Sequence, residues 1–295
     1  MTVANAIFQG IIQGLTEFIP VSSSGHLSLI QYFTGQGAEY GLFFTVLLHV
    51  GTLLAVVLAF WKIISELIAE FFHMLADIAR GKFSFRQLNP QRRMILMLIL
   101  SLFPLVITLY LRDWFTYLAT DESLFAEGIS FLITSAFLFL SGRCIKGHKG
   151  PAEMTKFDAL AIGTVQAFAP LPGLSRSGST ISMGLILGLE RKHAAAFSFI
   201  MSIPAVMGAS VLELGDALRE GVTTIPVSAM VAGTLASLVV GLLAIRLVRY
   251  MVLNDKFALF GWYTLVLGII VLVAATVEHF TGGILRQTVM ALVAA

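Results

Sequence analysis

The chain has 295 residues, of which 57% are hydrophobic and only 12% are charged. Soluble domains carry roughly 25% charged residues, so the composition excludes an ordinary soluble protein and predicts an integral membrane protein with about six to eight helical spans. The net charge of +2 is too small to indicate nucleic-acid binding, and the single cysteine, Cys144, excludes an internal disulfide and a cysteine-rich metal site.

The first half of the chain predicts one broken apolar segment, three full spans and one surface helix. The apolar runs 1–19 and 27–33 flank a polar segment, and the second run is too short to cross ~30 Å of hydrocarbon. Together they predict a re-entrant helical hairpin, whose backbone must be buried in protein or line an aqueous cavity. The predicted spans are 42–61, 94–111 with a kink at Pro104, and 124–140, and the predicted amphipathic helix is 62–80.

The second half repeats this order after a basic loop at 142–156, which divides the chain into repeats 1–141 and 142–295. The short runs 157–169 and 181–189 flank a second polar segment and predict a second re-entrant hairpin. The three predicted spans of this half are 194–212, 226–245 and 257–277.

The basic residues predict the orientation in the membrane. Four loops carry 15 of the 19 Lys and Arg residues, namely 62–93, 142–157, 190–193 and 246–256. The positive-inside rule places these loops in the cytoplasm and both termini outside. Each half then crosses the membrane three times, so the second half is inverted relative to the first. The predicted fold is an all-α integral membrane protein with six transmembrane helices and two re-entrant helical hairpins in an inverted-topology repeat, whose hairpin tips meet near the midplane.

The two polar segments match each other in sequence. The first polar tip, residues 13–26, reads QGLTEFIPVSSSGH, and the second polar tip, residues 166–180, reads QAFAPLPGLSRSGST. They align without a gap at an offset of 153 residues, with identical residues in the pairs Gln13/Gln166, Ser22/Ser175, Ser24/Ser177 and Gly25/Gly178. Ser23 aligns with Arg176, so one tip supplies a hydroxyl where the other supplies a guanidinium.

Glu17 and Arg176 are the two charged residues expected outside the loops, and charges at membrane depth are rare and usually functional. With the imidazole of His26 and the hydroxyl of Ser23, they make up the parts of a phosphoryl-transfer site. The two tips are therefore predicted to meet inside the membrane and hydrolyse a lipid phosphate. The alternative role for each of Glu17 and Arg176 is a structural ion pair, for which the other residue is a candidate partner.

Arg176 is expected to bind phosphate, because its planar fork matches phosphate oxygens. The helix after the second tip is expected to begin near Ser179, so its N–H groups and dipole would favour an anion at the same point. The predicted phosphate-binding side chains are Ser22, Ser24, Ser175, Ser177, Thr180 and Gln13. Helix capping is the alternative role for the serines, and satisfying a backbone group is the alternative for Gln13.

Ser23 needs a base within hydrogen-bond reach to act as a nucleophile. His26 follows it by three residues and Glu17 precedes it by six, so either side chain could accept the proton while the other protonates the leaving phosphate. A satisfied buried histidine is the alternative for His26. His49, alone in an apolar span, is interpreted as structural, with a supporting contact to the site as its alternative.

The sequence contains no GxxxxGK[ST], GxGxxG, CxxC or HExxH motif, so neither nucleotide binding nor a dedicated protein metal site is expected. No organic cofactor is predicted. A diphosphate substrate would bring a divalent cation, Mg or Ca, and Glu17 is the one obvious protein ligand for it.

The two tips together resemble the undecaprenyl-diphosphate phosphatase family associated with bacitracin resistance. The motifs QGLTEFIPVSSSGH and PLPGLSRSGSTIS carry the resemblance, which extends over essentially the whole chain. It implies that one phosphate is removed from undecaprenyl diphosphate at the outer face of the bacterial cytoplasmic membrane, which recycles the carrier lipid for peptidoglycan synthesis.

The resemblance also implies roles for individual residues. By position, Ser23 would be the nucleophile or its near equivalent, Glu17 and His26 would be acid/base or metal-assisting groups, and Arg176 would bind phosphate. The family accepts Glu or Gln at the position of Gln13, and the Gln found here does not fit a scheme that needs two carboxylates. Ser24 stands where some members have Thr.

A flippase of the phosphorylated polyprenyl lipid is the alternative function, because inverted repeats with broken segments at the midplane are typical of transporters. The expected partners are a polyprenyl diphosphate and membrane lipids, without nucleic acid, and a homodimer is left open. The sequence also leaves open whether hydrolysis passes through a phosphoserine at Ser23 or uses a water activated by Glu17 or His26.

Overall fold

The computed structural model describes residues 1–34, 41–85, 88–120, 123–144, 147–220 and 225–294. These residues form helices and connecting turns, with no β-strand among them. The helices of the first half are α1 (Val3–Phe18), α2 (Ser23–Thr34), α3 (Gly41–Ala59), α4 (Trp61–Ala79), α5 (Pro90–Leu102), α6 (Leu105–Tyr110), α7 (Arg112–Thr120) and α8 (Phe125–Arg143). Those of the second half are α9 (Lys156–Ala167), α10 (Arg176–Ile186), α11 (Arg191–Glu220), α12 (Val227–Leu253), α13 (Leu259–Thr281) and α14 (Ile284–Ala294).

Several of these helices are long and apolar enough to cross a membrane. Within the described residues there are five such segments, namely Pro90–Tyr110, Phe125–Arg143, Arg191–Gly215, Val227–Leu253 and Leu259–Thr281. The pair α3 and α4, bent by 83°, makes a sixth if it is counted as one span. The protein is therefore an all-helical, multi-pass membrane protein.

The structure differs from the sequence prediction at four places. Helix α10 begins at Arg176 rather than near Ser179, because the Ser175 side chain caps it there. Helices α7 and α14 form where loops were expected. The prediction of two charged residues outside the loops is also wrong, since Glu127 lies in the first turn of α8 with only 1% of its surface exposed.

Polar side chains fix the start of α5 and tie it to α4. Asn89 accepts a hydrogen bond from the Arg92 N–H at 2.7 Å, and Pro90 occupies the first position of the helix. The Arg92 guanidinium then donates to Glu70 and to Asp77, each at 2.6 Å. The amphipathic helix α4 is thereby attached through its polar face to the first turn of α5.

Small residues allow α1 to lie directly on α12. A Cβ atom at Gly14 would be 2.6 Å from the Ser237 carbonyl oxygen, and one at Gly10 would overlap the Gly233 carbonyl oxygen. Small residues four apart on both helices permit this close approach of two backbones in a membrane. Helix α12 therefore supports the helix that leads into the first polar tip.

Candidate active site

Each polar tip ends in the same helix cap. The Ser22 hydroxyl accepts a hydrogen bond from the Gly25 N–H at 3.3 Å, and the Ser175 hydroxyl accepts one from the Gly178 N–H at 3.1 Å. The capping role expected as the alternative for these serines is therefore present in both tips. Their backbones differ, since Ser22 has a φ of +67° and Ser175 a φ of −75°. A positive φ is uncommon for serine and marks the first tip as the strained one.

The two tips touch each other through glycine. A Cβ atom at Gly25 would lie 2.6 Å from the Gly173 Cα, and one at Gly178 would lie 3.0 Å from the Pro20 Cβ. Gly173 has a backbone φ of +89°, which residues other than glycine rarely adopt. The tips are therefore in backbone contact, as the number of predicted crossings and the distribution of basic loops led us to expect.

Thr134 of α8 binds the backbone of the second tip through two hydrogen bonds. Its hydroxyl donates to the Gly173 carbonyl at 3.0 Å and accepts from the Ser175 N–H at 3.0 Å. Both hydrogen bonds are buried, so they fix the backbone of Gly173 and Ser175, directly before Arg176.

Glu17 and Arg176 join the two tips by an ion pair. Arg176 Nη2 donates to Glu17 Oε1 at 2.6 Å, and the side chains are 17% and 11% exposed. Gln13 Nε2 donates to the other carboxylate oxygen at 3.1 Å, one helical turn away, rather than to a backbone group, and its predicted role toward phosphate stays a prediction. The ion pair expected as the alternative is therefore formed.

The ion pair uses only part of the Arg176 fork. Nη1 is buried and has no hydrogen-bond partner among the residues that the structure describes. A guanidinium nitrogen left buried and unpaired is costly, and Arg176 is also the first residue of α10, where a helix favours anions. One nitrogen of Arg176 is thus held by Glu17, while the binding of a phosphate oxygen by the guanidinium stays a prediction.

His26 lies in the first turn of α2 with both ring nitrogens engaged. Nδ1 lies 2.7 Å from the Ser22 carbonyl oxygen, and Nε2 lies 2.6 Å from the hydroxyl oxygen of Tyr263 in α13. The Phe131 ring meets the imidazole edge-on at 5.5 Å between centroids. The imidazole is therefore held in one orientation from three sides.

The other hydroxyls of the first tip differ in their surroundings. Ser23 is the first residue of α2, half-buried, and its hydroxyl makes no hydrogen bond to any described residue. Ser24 is exposed, with its oxygen 3.3 Å from that of Ser22. Ser23 therefore offers an uncommitted hydroxyl at the helix start.

The hydroxyls of the second tip are buried, and most of them make hydrogen bonds within the protein. Ser175 and Ser177 have their oxygens 3.4 Å apart. The Thr180 hydroxyl donates to the Arg176 carbonyl at 2.7 Å and lies 2.6 Å from the Ser198 hydroxyl of α11. Thr180 thus locks the first turn of α10 against α11, and its role toward phosphate stays a prediction.

Comparison with known proteins identifies the family. The sequence matches the family described as Bacitracin resistance protein BacA over residues 6–270. The chain belongs to the BacA family. It is 40% identical over 273 residues, 92% of this chain and 98% of the relative, to a protein of Alkaliphilus metalliredigens called Undecaprenyl-diphosphatase. Proteins with the same name from Methanosphaera stadtmanae and Rubrobacter xylanophilus are 38% identical over 94% and 90% of this chain, and over 99% and 96% of their own lengths. The resemblance to this family is confirmed.

Sequence reasoning missed two side chains around the first tip of this BacA-family protein. Tyr263 bonds to His26 from 237 residues away, and Glu127 accepts a hydrogen bond from the Ser28 hydroxyl at 2.5 Å. An acidic residue in an apolar run was a signal for Glu127. The sequence around Tyr263 held no such signal, because a tyrosine in a membrane helix is common.

His49 lies next to the site rather than alone. Its Nδ1 is 3.7 Å from Glu213 Oε2 on α11, and the imidazole interacts electrostatically with both Glu17 and Arg176. No hydrogen bond joins His49 to either tip among the described residues, so the supporting contact expected as its alternative stays a prediction.

The donor atoms of the BacA-family tips do not build a metal site by themselves. The residues that the structure describes contain no group of three or more His, Cys, Asp or Glu side chains suited to one ion. Both carboxylate oxygens of Glu17 already accept hydrogen bonds, from Gln13 and Arg176. A cation held by the protein alone would need more oxygen ligands than these tips provide.

The contact between the tips gives a prediction for Gly25→Ala. A Cβ atom there would lie 2.6 Å from the Gly173 Cα and 2.7 Å from the Phe131 ring, so the tips must separate at a cost of about 1–3 kcal/mol. We expect Gly25→Ala to lower the midpoint of thermal unfolding and the rate of phosphate release. Gly208→Ala is the control, since nothing lies within 4 Å of its added Cβ. An equal midpoint for both variants would contradict the contact.

The support of Glu17 gives a second prediction. Gln13→Leu removes the hydrogen bond to Glu17 Oε2, and we expect kcat to fall about tenfold because an acceptor loses its partner. The aligned Gln166 is the matched control. It is 3% exposed and its amide atoms have no partner among the described residues, so Gln166→Leu should leave kcat unchanged. Equal losses in the two variants would show that neither glutamine acts through Glu17.

Proposed function

We propose that this protein hydrolyses undecaprenyl diphosphate to undecaprenyl phosphate and inorganic phosphate, as the names of its BacA-family relatives suggest. The observation that carries the proposal is the contact of Glu17 with Arg176 across the two tips. The proposal is supported by this carboxylate, by a guanidinium whose Nη1 has no partner among the described residues, and by the hydroxyl-rich start of α2 in the first tip. This combination fits a lipid that carries a phosphate at its polar end.

In the proposed reaction, Arg176 Nη1 binds an oxygen of the terminal phosphate and offsets the charge that develops on it. Either the Ser23 oxygen or a water oxygen forms the new bond to that phosphorus. The bond from the phosphorus to the bridging oxygen breaks, and undecaprenyl phosphate leaves with that oxygen. In both routes Glu17 or His26 takes the proton of the attacking hydroxyl or water. In the first route a water, deprotonated by the same group, then attacks the phosphoserine, and phosphate leaves as the serine oxygen recovers a proton.

We further propose the membrane arrangement that the sequence predicts. It has six spans, with the helix pairs α1–α2 and α9–α10 as re-entrant hairpins of two inverted repeats, 1–141 and 142–295. The offset of 153 residues between the tips and their matching serine caps support it. The basic loops support a cytoplasmic side opposite both termini. The site would then open to the outer face of the bacterial cytoplasmic membrane. Cysteine labelling from either side, at exposed Ser24 and at Lys82, tests this orientation.

A divalent cation, Mg or Ca, is proposed to arrive with the diphosphate rather than to be held by the protein alone. Phosphate oxygens would supply most ligands, with Glu17 as the single protein ligand. The site is built from one chain, so the reaction does not require a homodimer, and nucleic acid is not a proposed partner.

The test is release of inorganic phosphate by the purified protein in detergent from farnesyl or undecaprenyl diphosphate. We expect release that stops with a chelator and returns with added Mg or Ca. A pure flippase, the alternative function, would release no phosphate in detergent and would move the phosphorylated lipid across vesicle membranes. Phosphate release that is unaffected by a chelator would overturn the proposal for the cation and leave that for hydrolysis standing.

A further inference from the structure

Tyr263 of α13 contacts the imidazole of His26 in two ways. Its hydroxyl oxygen is 2.6 Å from Nε2, and the two rings are nearly parallel, at 6°, with centroids 5.7 Å apart. Tyr263 is 48% exposed, so its ring stands at the edge of the helix bundle while its hydroxyl points inward to the first tip. A phenol hydroxyl in an apolar region is costly unless it is bonded, and here the bond goes to a predicted catalytic residue.

The partners of His26 determine which nitrogen carries the proton. The Ser22 carbonyl, 2.7 Å from Nδ1, can only accept a hydrogen bond, so Nδ1 is the protonated nitrogen of the neutral ring. Nε2 then holds the lone pair, and the Tyr263 hydroxyl donates to it. Nε2 is the one position at which neutral His26 can accept a further proton.

We propose that Tyr263 is a positioning residue for His26 in the phosphatase reaction, an inference that rests on the proposed function. Its hydroxyl holds the ring in place and marks Nε2 as the point of proton exchange. Because the Nε2 lone pair points at the Tyr263 oxygen, the Tyr263 hydroxyl first releases Nε2. The proton of the attacking hydroxyl or water then binds Nε2, and the Tyr263 oxygen, which keeps its own proton, accepts a hydrogen bond from it. Nδ1 stays bonded to Ser22 throughout, so the imidazolium is stabilised on both sides.

Tyr263→Phe is the test, because it removes the hydroxyl and keeps the ring. We expect kcat for phosphate release to fall about tenfold with KM changed less than about twofold, as for the loss of one hydrogen bond to a charged group. Tyr110→Phe, at a tyrosine that is 88% exposed, is the control and should match the wild type. An unchanged kcat in Tyr263→Phe overturns the inference.

Nitrogen NMR of protein labelled at its six histidines gives a readout that a purely structural tyrosine would not move. The His26 resonances are assigned by their absence from His26→Asn. In the wild type we expect Nδ1 protonated and Nε2 as an acceptor, and in Tyr263→Phe the Nε2 signal should move toward that of an unbonded nitrogen. A wild-type ring protonated at Nε2 alone, or identical His26 signals in the two proteins, overturns the inference. These spectra do not depend on turnover, so a wild type without phosphatase activity would refute the proposed function separately.

Discussion

Arg176→Ala is expected to lower kcat for phosphate release by about 10³-fold or more. The side chain is 17% exposed and reaches across the interface of the two tips, with Nη2 on Glu17 and Nη1 buried without a partner among the described residues. Removing a donor that stabilises developing negative charge costs about 10²–10³-fold, and loss of an arginine from phosphoryl transfer costs about 10³–10⁵-fold. The measurement is steady-state phosphate release by purified variants at equal protein concentration.

Two further variants separate the catalytic role of Arg176 from its ion pair. Arg176→Ala leaves Glu17, 11% exposed, as an unpaired buried charge and should lower the thermal midpoint. Adding Glu17→Gln removes that charge, so the double variant should recover its midpoint and stay inactive. Arg191→Ala, which breaks an ion pair with Asp255 away from the tips, should retain activity. A double variant that regains both its midpoint and its kcat would show that the pair only holds the tips together.

Local spacing explains why much of the site could be predicted from the sequence. Gln13 and Glu17 are four residues apart, which places them on one helical face, and they are hydrogen-bonded in the structure. Helix capping was the alternative role for the serines, and Ser175 and its aligned partner Ser22 both form a cap. Apolar length predicted the spans, because a chain has few ways to satisfy its backbone in lipid.

The rest depended on packing between distant segments, which no local pattern encodes. Tyr263 reaches His26 only because α13 packs against the helices that surround α2. Helix α14 was expected to be a loop, and its first turn is held by Glu278, which accepts from the Arg286 N–H at 2.8 Å. The local sequence around these residues contains no motif, so the contacts could not be predicted before the packing of the helices was known.

Ser23→Ala is the second variant with a large expected effect, on the order of 10³-fold in kcat if the hydroxyl is the nucleophile. Ser23 begins α2, is half-buried, and its hydroxyl bonds to no described residue, so in this role it must come within reach of Glu17 or His26 when the substrate binds. In contrast, Ser22 caps the helix and bonds to Gly25. Ser24→Ala is the matched control, since Ser24 is exposed and lies one residue further along the same helix. It should lose less than about tenfold, as expected for one hydrogen bond.

Acid quenching during turnover tests the nucleophile directly. With diphosphate labelled in its terminal phosphate, wild-type protein should carry label that is lost in Ser23→Ala and kept in Ser24→Ala. A phosphate ester of serine is stable in acid, so quenching preserves it for peptide mapping to residue 23. Full activity in Ser23→Ala would exclude the phosphoserine route. The attacking group would then be a water whose proton goes to Glu17 or to His26 at Nε2, and Glu17→Gln and His26→Asn would become the variants with the largest losses.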